Sequence, residues 1–579
     1  MRTYYLPLLI TLMLLLSWTG KTQAQESLDK IDGQWWKEGV VYQIYPRSFK
    51  DSDGDGIGDL GGIIEKLDYL QSLGIDIVWL NPIYSSPNDD NGYDISDYRA
   101  IMDEFGTMEE FDTLLKGMHE RGIKLVMDLV VNHSSDEHTW FQESKSSRDN
   151  PYRDYYHWWE AEKGKPTPRY SFFDVNNDAW KYDSTTNAYY LHYFSRKQPD
   201  LNWENPKVRQ EVYDIMKYWL DKGIDGFRMD AFQYVSKDTT FPAFPEGYEK
   251  NIIEYYGMGP HLHDYLREMN REVISKYDIM TVAEGAGSTF EDAISLVAPE
   301  RKELDMVYHF EGMDIGNDLD GYDLLDFKDV YTRWDSAMED KGWVSIFLAN
   351  HDVPRMVSKF GNDSPEFRAA SSKMLTTFIL SMRGTPYYYY GDELGMTNID
   401  FDQISDYKDI AALNGYQNAL KEGKDLSRYM KKLNFLSRDN ARTPMQWNAS
   451  KNAGFSNGEP WIAVNPNYKS INVENQENDP QSCLNYFRKM VQLRKDHPVL
   501  VYGDYQLLWP KNKKVYAYTR TLDQEKLLVL LNFSTTPSQL QLPKSIVLKK
   551  ELINNLENKN LHQSKLTLAP YQALIFSIQ

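Results

Sequence analysis

Three carboxylates stand at the ends of three apolar runs. Gly226-Phe227-Arg228-Met229-Asp230 and Thr281-Val282-Ala283-Glu284 each read as a buried strand whose last residue is an acid, and Asn350-His351-Asp352 follows a third such run. Three acids delivered by strand ends is how a parallel barrel builds an acid–base site. Residues two apart on a strand face the same side, so Arg228 and Asp230 point together toward the barrel axis. The neighbouring guanidinium favours the ionised carboxylate, which puts Asp230 below the usual range and suits it to be a nucleophile. Glu284 has no basic neighbour in sequence. Sharing a pocket with Asp230 and Asp352 would raise it and let it keep a proton to donate. The bland alternatives are a buried Arg–Asp pair that only holds the barrel and a Glu that only caps the next helix. His133 follows a further strand end and His351 stands beside Asp352, where they would bond sugar hydroxyls. One ionised and one protonated carboxyl is the chemistry of glycoside hydrolysis.

A second motif is Asp51-Ser52-Asp53-Gly54-Asp55-Gly56-Ile57-Gly58-Asp59. Acids at alternate positions with glycine at the sixth look like a calcium loop, with magnesium as the other hard cation such a set would take. Gly62 stands where an EF-hand would carry its bidentate Glu, so the loop is EF-hand-like only. A polar Asp/Gly turn without metal is the alternative.

These residues need elements to position them. Apolar strand-like runs at 40–44, 75–80, 125–131, 226–229, 279–283, 306–310, 344–348 and 386–390 alternate with amphipathic segments. Continuous hydrophobicity suits strands buried on both faces. Residues 107–121 read as a helix stopped by Gly122, and 206–222 as one capped by Asn205, opened by Pro206 and closed by Gly223. Eight strands in βα alternation predict an α/β fold, a TIM (β/α)8 barrel. An inserted small domain over 134–203 follows the third strand, and short β runs after about residue 501 predict a C-terminal antiparallel β-sandwich. The expected organisation is a leader over 1–24, barrel over 25–133 and 204–500, insert over 134–203 and sandwich over 501–579.

The 579-residue chain is 41% hydrophobic with 15 Trp and 41 Tyr, a soluble globular composition whose rings also suit sugar faces. Its net charge of −21 argues against nucleic acid and favours a neutral substrate. Arg2, the apolar run 6–16 and Thr22-Gln23-Ala24 read as a signal peptide, too short for a comfortable membrane span. The expectation is an exported protein, periplasmic or extracellular, with no stable membrane insertion after cleavage; an uncleaved anchor is the alternative. The single Cys483 excludes an internal disulfide. Monomer or weak homo-oligomer is expected.

With Asp128-Leu129-Val130-Val131-Asn132-His133 added to the three acid strings, the chain resembles glycoside hydrolase family 13, the α-amylase clan. It is similar in particular to the oligo-1,6-glucosidase and α-glucosidase branch. That likeness rests on Trp35-Trp36-Lys37-Glu38, the string from Val41 to Phe49, Asn91-Gly92-Tyr93-Asp94-Ile95, Lys197-Gln198-Pro199-Asp200 and the string from Arg438 to Trp447. The resemblance implies Asp230 as nucleophile, Glu284 as acid/base and Asp352 as transition-state stabiliser. It implies that Asp94 and Arg442 hold the non-reducing end of a glucose, that Tyr93 stacks on its ring, that His133, Arg228 and His351 bond its hydroxyls, and that Gln198 forms pocket wall. It also implies a structural Ca2+ held by Asp51, Asp53, Asp55, Asp59 and the Ile57 carbonyl, and no organic cofactor. The substrate would be a small oligosaccharide cleaved from its end. Ala231, after the nucleophile, stands where α-1,6 enzymes of the branch carry Val. Its small size points to α-1,4 substrates such as maltose, with α-1,6 bonds also cleaved. A strict oligo-1,6-glucosidase, a transglucosylase or sucrose- or trehalose-active relative, and a non-catalytic sugar-binding homologue remain as alternatives. The absence of Arg from 312–326 weighs against sucrose isomerisation.

Overall fold

A computed structural model describes residues 34–556, 561–562 and 565–579. The leader read over 1–24 lies outside the described residues. Eight parallel strands form the barrel: β1 Val41–Ile44, β2 Ile77–Leu80, β3 Lys124–Val130, β4 Gly226–Asp230, β5 Met280–Glu284, β6 Met306–Tyr308, β7 Ser345–Ile346 and β8 Thr385–Tyr389. Their order is β6-β5-β4-β3-β2-β1-β8-β7, and a parallel bridge between Val307 and Val344 closes the ring. The expected strands are all present. β7 is shorter than its apolar run, because only two of its residues ladder with β8.

Inward-facing residues explain where the chemistry sits. Val41, Trp79, Val126, Met280, Val282 and Met306 belong to one buried apolar cluster filling the barrel, with Trp36 packed against it from the β1 side. Two residues further along their strands stand Gln43, Asn81, Asp128, Glu284 and Tyr308, so the filling turns polar at the C-terminal ends. Gly226 opens β4 because the strands crowd there: a Cβ would lie 2.1 Å from the Met280 carbonyl oxygen.

The flanking helices follow their sequence signals. Met108–Glu120 begins at Thr107 with a reciprocal capping box to Glu110. Pro206–Lys222 is capped by Asn205 and ends at a left-handed Gly223. Within the insert, Trp158–Glu160, Ala188–Leu191 and Trp180–Asp183 make a three-stranded antiparallel sheet. After β8 the helices Ile410–Lys421 and Leu426–Leu436 lead into a short 3-10 turn, Arg438–Asn440. The C-terminal region pairs a five-stranded with a three-stranded antiparallel sheet, and Leu528, Leu530 and Phe576 of one pack with Leu540, Leu566 and Leu568 of the other. That is the expected sandwich.

Candidate active site

Arg228 is the hub. It is fully buried, and its Nη1 donates to Asp128 Oδ1 at 2.7 Å and to Asp230 Oδ1. Its Nη2 donates to Glu284 Oε1 and, at 2.6 Å, to the Tyr308 hydroxyl. The register brings this about: β4 and β5 are neighbours with Ala283 opposite Met229, so the two terminal acids emerge side by side, and Asp128 lies opposite Arg228 on β3. Glu284 also accepts from Tyr308 at 2.7 Å and, through Oε2, from the Ala231 N–H at 2.7 Å. Behind Glu284 the chain turns through a left-handed Gly285, where a Cβ would fall 2.5 Å from the Gln233 amide. The strand from β5 therefore leaves the site by a path only glycine takes without displacing that side chain.

Two expectations about protonation change here. Glu284 does have a basic partner, the same Arg228, supplied by the neighbouring strand rather than by its own sequence. Asp230 is not held low: burial and then the charge of Glu284 push it well above the usual carboxylate range, against the pull of Arg228. Asp128 is raised to about 6 by burial, also against Arg228. Three acids around one guanidinium form a pocket of net negative potential, which suits a cationic transition state.

Asp352 lies across the site under different control. Its Oδ1 accepts from Arg438 at 3.0 Å and Arg442 at 3.2 Å, and its Oδ2 is 3.2 Å from His351 Nε2. Burial pushes it up, but His351, Arg438 and Arg442 outweigh burial and hold it well below the usual range. Burial lowers His133 and His351 to about 3, so both are neutral imidazoles. His351 meets the Tyr93 hydroxyl at 2.7 Å and Gln43 Nε2 at 2.8 Å, with the Tyr93 ring stacked on it at 5.3 Å. Gln198 Nε2 lies 3.1 Å from His133 Nε2 and donates at 3.1 Å to Asp90.

The far end of the pocket is built by other residues than those expected. Asp94 is fully buried and spends its oxygens on Ser86 and the N–H groups of Asp89 and Asp90, holding that loop. Arg442 is buried behind Asp352, with Nε donating to the His351 carbonyl at 3.0 Å. The residues that meet are Asp90 and Arg438, at 3.4 Å. Burial raises Asp90 to about 7 despite Arg438 and Arg442. Asp128, Tyr308, Asp90 and Arg438 were thus missed in sequence. Asp128 sits two residues before Val130 on β3, so the alternation that found Arg228 and Asp230 could also have found it.

Ala231 follows Asp230 directly and gives its N–H to Glu284 Oε2. It has a left-handed backbone (φ 46°), is 4% exposed and packs into an apolar cluster with Trp180, Tyr234 and Tyr256.

In the metal loop, Asp51, Asp53 and Asp59 bring carboxylate oxygens within 4.8 Å of one another. Three hard oxygens of this kind fit Ca2+ or Mg2+. Asp55 is not in that group: its Oδ1 accepts the Ile57 N–H at 2.7 Å. The loop is stitched to the segment that carries Arg442. Trp461 N–H donates to the Gly56 carbonyl at 3.0 Å, and Trp461 Nε1 donates to Ser48, whose hydroxyl bonds the Arg442 carbonyl at 2.5 Å.

Residues 43–503 match the family model for the α-amylase catalytic domain, and 515–575 match that of the SusG α-amylase C-terminal domain. The chain is 54% identical to an oligo-1,6-glucosidase of Parageobacillus thermoglucosidasius, covering 94% of this chain and 99% of the relative. It is 51% identical to that of Bacillus cereus, over 95% and 100%. Among solved structures it superposes on an isomaltulose synthase from Klebsiella sp. LX3 with a TM-score of 0.92, at 46% identity over 95% and 100% of the two chains. A mutant isomaltulose synthase of Erwinia rhapontici NX5 in complex with its natural substrate sucrose gives the same TM-score, 0.92, at 46% identity over 95% and 100%. The chain belongs to glycoside hydrolase family 13, the α-amylase family, in its oligo-1,6-glucosidase branch.

Proposed function

We propose that this chain is a retaining exo-acting α-glucosidase that releases glucose from the non-reducing end of short α-1,6-linked glucosides, an oligo-1,6-glucosidase. The observation that carries the exo reading is the pocket end where Asp90 meets Arg438, walled by Gln198 and His133. A terminal sugar can exchange those contacts for its own hydroxyls, whereas a continuing chain would meet buried charge. The α-1,6 preference rests on relatives of 54% and 51% identity that bear that name. The expectation of α-1,4 preference rested on the small Ala231 beside the nucleophile; the named relatives favour the α-1,6 alternative over it.

Asp352 grips the hydroxyls beside the reacting carbon. Asp230 attacks that carbon, the bond to the leaving oxygen breaks, and Glu284 gives its proton to that oxygen. A water then releases glucose from Asp230, with its proton returning to Glu284. Both acids on one guanidinium favour the close pair of a retaining enzyme, about 5–5.5 Å apart, over the wider inverting pair. Burial and the charge of Glu284 push Asp230 up, while Arg228, Tyr308 and the Ala231 N–H occupy Glu284. A Ca2+ or Mg2+ at Asp51, Asp53 and Asp59 would brace the loop and takes no part in these steps.

The test is product analysis on isomaltose, maltose and sucrose, with NMR of the first anomer. Isomaltose cleaved to α-glucose faster than maltose is expected, with activity lost at least about a thousandfold in Asp230→Asn. Preference for maltose overturns the linkage, sucrose converted to an isomer overturns hydrolysis, and full activity of the variant overturns the role of Asp230.

A further inference from the structure

The guanidinium of Arg438 is gripped from several directions, and one grip leads out of the pocket. Besides Asp352 and Asp90, Nη2 donates to Asp409, which is 2% exposed, and the Phe173 ring of the insert lies 4.9 Å from the guanidinium. Asp409 is also the N-cap of the helix Ile410–Lys421, accepting the Ala411 N–H at 3.2 Å. One turn along that helix, Asn414 Nδ2 donates to the Phe173 carbonyl at 2.7 Å. The contacts close a circuit: pocket arginine, helix cap, helix, insert loop, and back to the arginine.

We propose that Asp409 is a positioning residue for the glucose pocket, and that with Asn414 it latches the insert loop over Arg438. The proposal rests on the reading that this pocket takes a terminal glucose. Capping alone does not explain Asp409, since a neutral Ser or Asn would cap as well. What needs a carboxylate is the pair of arginines: Arg442 Nη1 also lies 3.9 Å from Asp409. Without that charge, Arg438 and Arg442 would both lean on Asp352, drawing it away from the sugar hydroxyls it is placed to bind. Ala412 and Ala419 are the buried residues of this helix, and Ala412 packs with Ile399, Phe401 and Tyr407. Its bonds to the insert, from Asn414 to the Phe173 carbonyl and from Asn418 and Lys421 to Asn177 and Asn176, set where it sits, and through Asp409 it sets where Arg438 sits. Arg438, Asp352 and Asp90 face the sugar; Asp409 acts through Arg438.

The test separates cap from charge. Asp409→Ser keeps an acceptor for the helix and removes the carboxylate; Asn414→Ala opens the latch alone. KM and kcat on p-nitrophenyl α-glucoside, competitive inhibition by glucose, and the melting temperature are measured for each. For Asp409→Ser, KM and the glucose inhibition constant rise about tenfold or more, while melting stays within about 2 °C. For Asn414→Ala both constants rise about threefold, with kcat moving less. Unchanged glucose inhibition in both variants overturns the latch, and so does a drop in melting temperature without a change in glucose inhibition. A wild-type chain that neither cleaves the glucoside nor binds glucose overturns the functional reading, and the latch falls with it.

Discussion

Arg228 serves three carboxylates with one charge, and Asp90 faces the same shortage at the other end of the pocket. A carboxyl pushed from 3.8 to about 7 binds its proton more tightly folded than unfolded. Below about pH 4 both forms are protonated and the contribution to stability is complete. As pH rises toward 7 the unfolded chain gives the proton up while the folded one keeps it, so stability is lost. Asp90→Asn removes that loss, worth roughly 4 kcal/mol as an upper bound. Denaturant unfolding at pH 5 and pH 7.5 should show a smaller fall for the variant than for the parent; equal falls would place the titration elsewhere. The same two arginines and two aspartates show what could not be read from sequence. Asp90 and Asp94 lie four apart, as do Arg438 and Arg442; Asp90 stands just before the string Asn91–Ile95, and both arginines lie within the string from Arg438 to Trp447. Neither spacing nor residue type separates the member that faces sugar from the one that supports a loop. Only the path of the loop does.

Strand ends were legible because alternation and apolar length are local signals. The β4 and β5 runs announced Asp230 and Glu284, while the hydrogen bond from Arg228 to Glu284 needed the knowledge that these strands are adjacent. The metal loop shows the same limit. Alternate acids suggested a calcium loop and the family resemblance implied four carboxylates and a carbonyl, whereas the turn gathers three and leaves Asp55 on the Ile57 N–H. The loop is tied through Trp461 and Ser48 to Arg442, so an ion bound there would brace the site's scaffold from outside. Chelation should lower the melting temperature by a few degrees, as expected when a ligand near 100 Kd contributes about 2.7 kcal/mol. Restored Ca2+ should reverse the shift and Asp53→Asn should abolish its dependence on Ca2+. A melting curve indifferent to chelator and ion would dismiss the metal.

Across the whole molecule, the sandwich is docked by chemistry hidden from solvent. Arg520 is fully buried and donates to the carbonyls of Leu500 at 2.9 Å and Gly503 at 2.8 Å, and also to that of Ser381. Ser381 and Tyr518 share a further bond at 2.6 Å between their hydroxyls. Barrel and sandwich should therefore melt in one transition. Arg520→Ala strands several buried carbonyls, at about 1–3 kcal/mol each, and should lower that single transition clearly. Two separate transitions in the parent protein would contradict the docking. Among the described residues, no helix is long and apolar enough to cross a membrane.

The ladder between β1 and β8 has a consequence of timing. Val41 pairs with Tyr387 and Gln43 with Tyr389, so the first strand to leave the ribosome waits for the last. Until β8 is made, β1 presents an unpaired edge of backbone donors and acceptors, the surface on which nascent chains aggregate. The order of the barrel therefore makes its closure a late event, one that waits until β8 has been made.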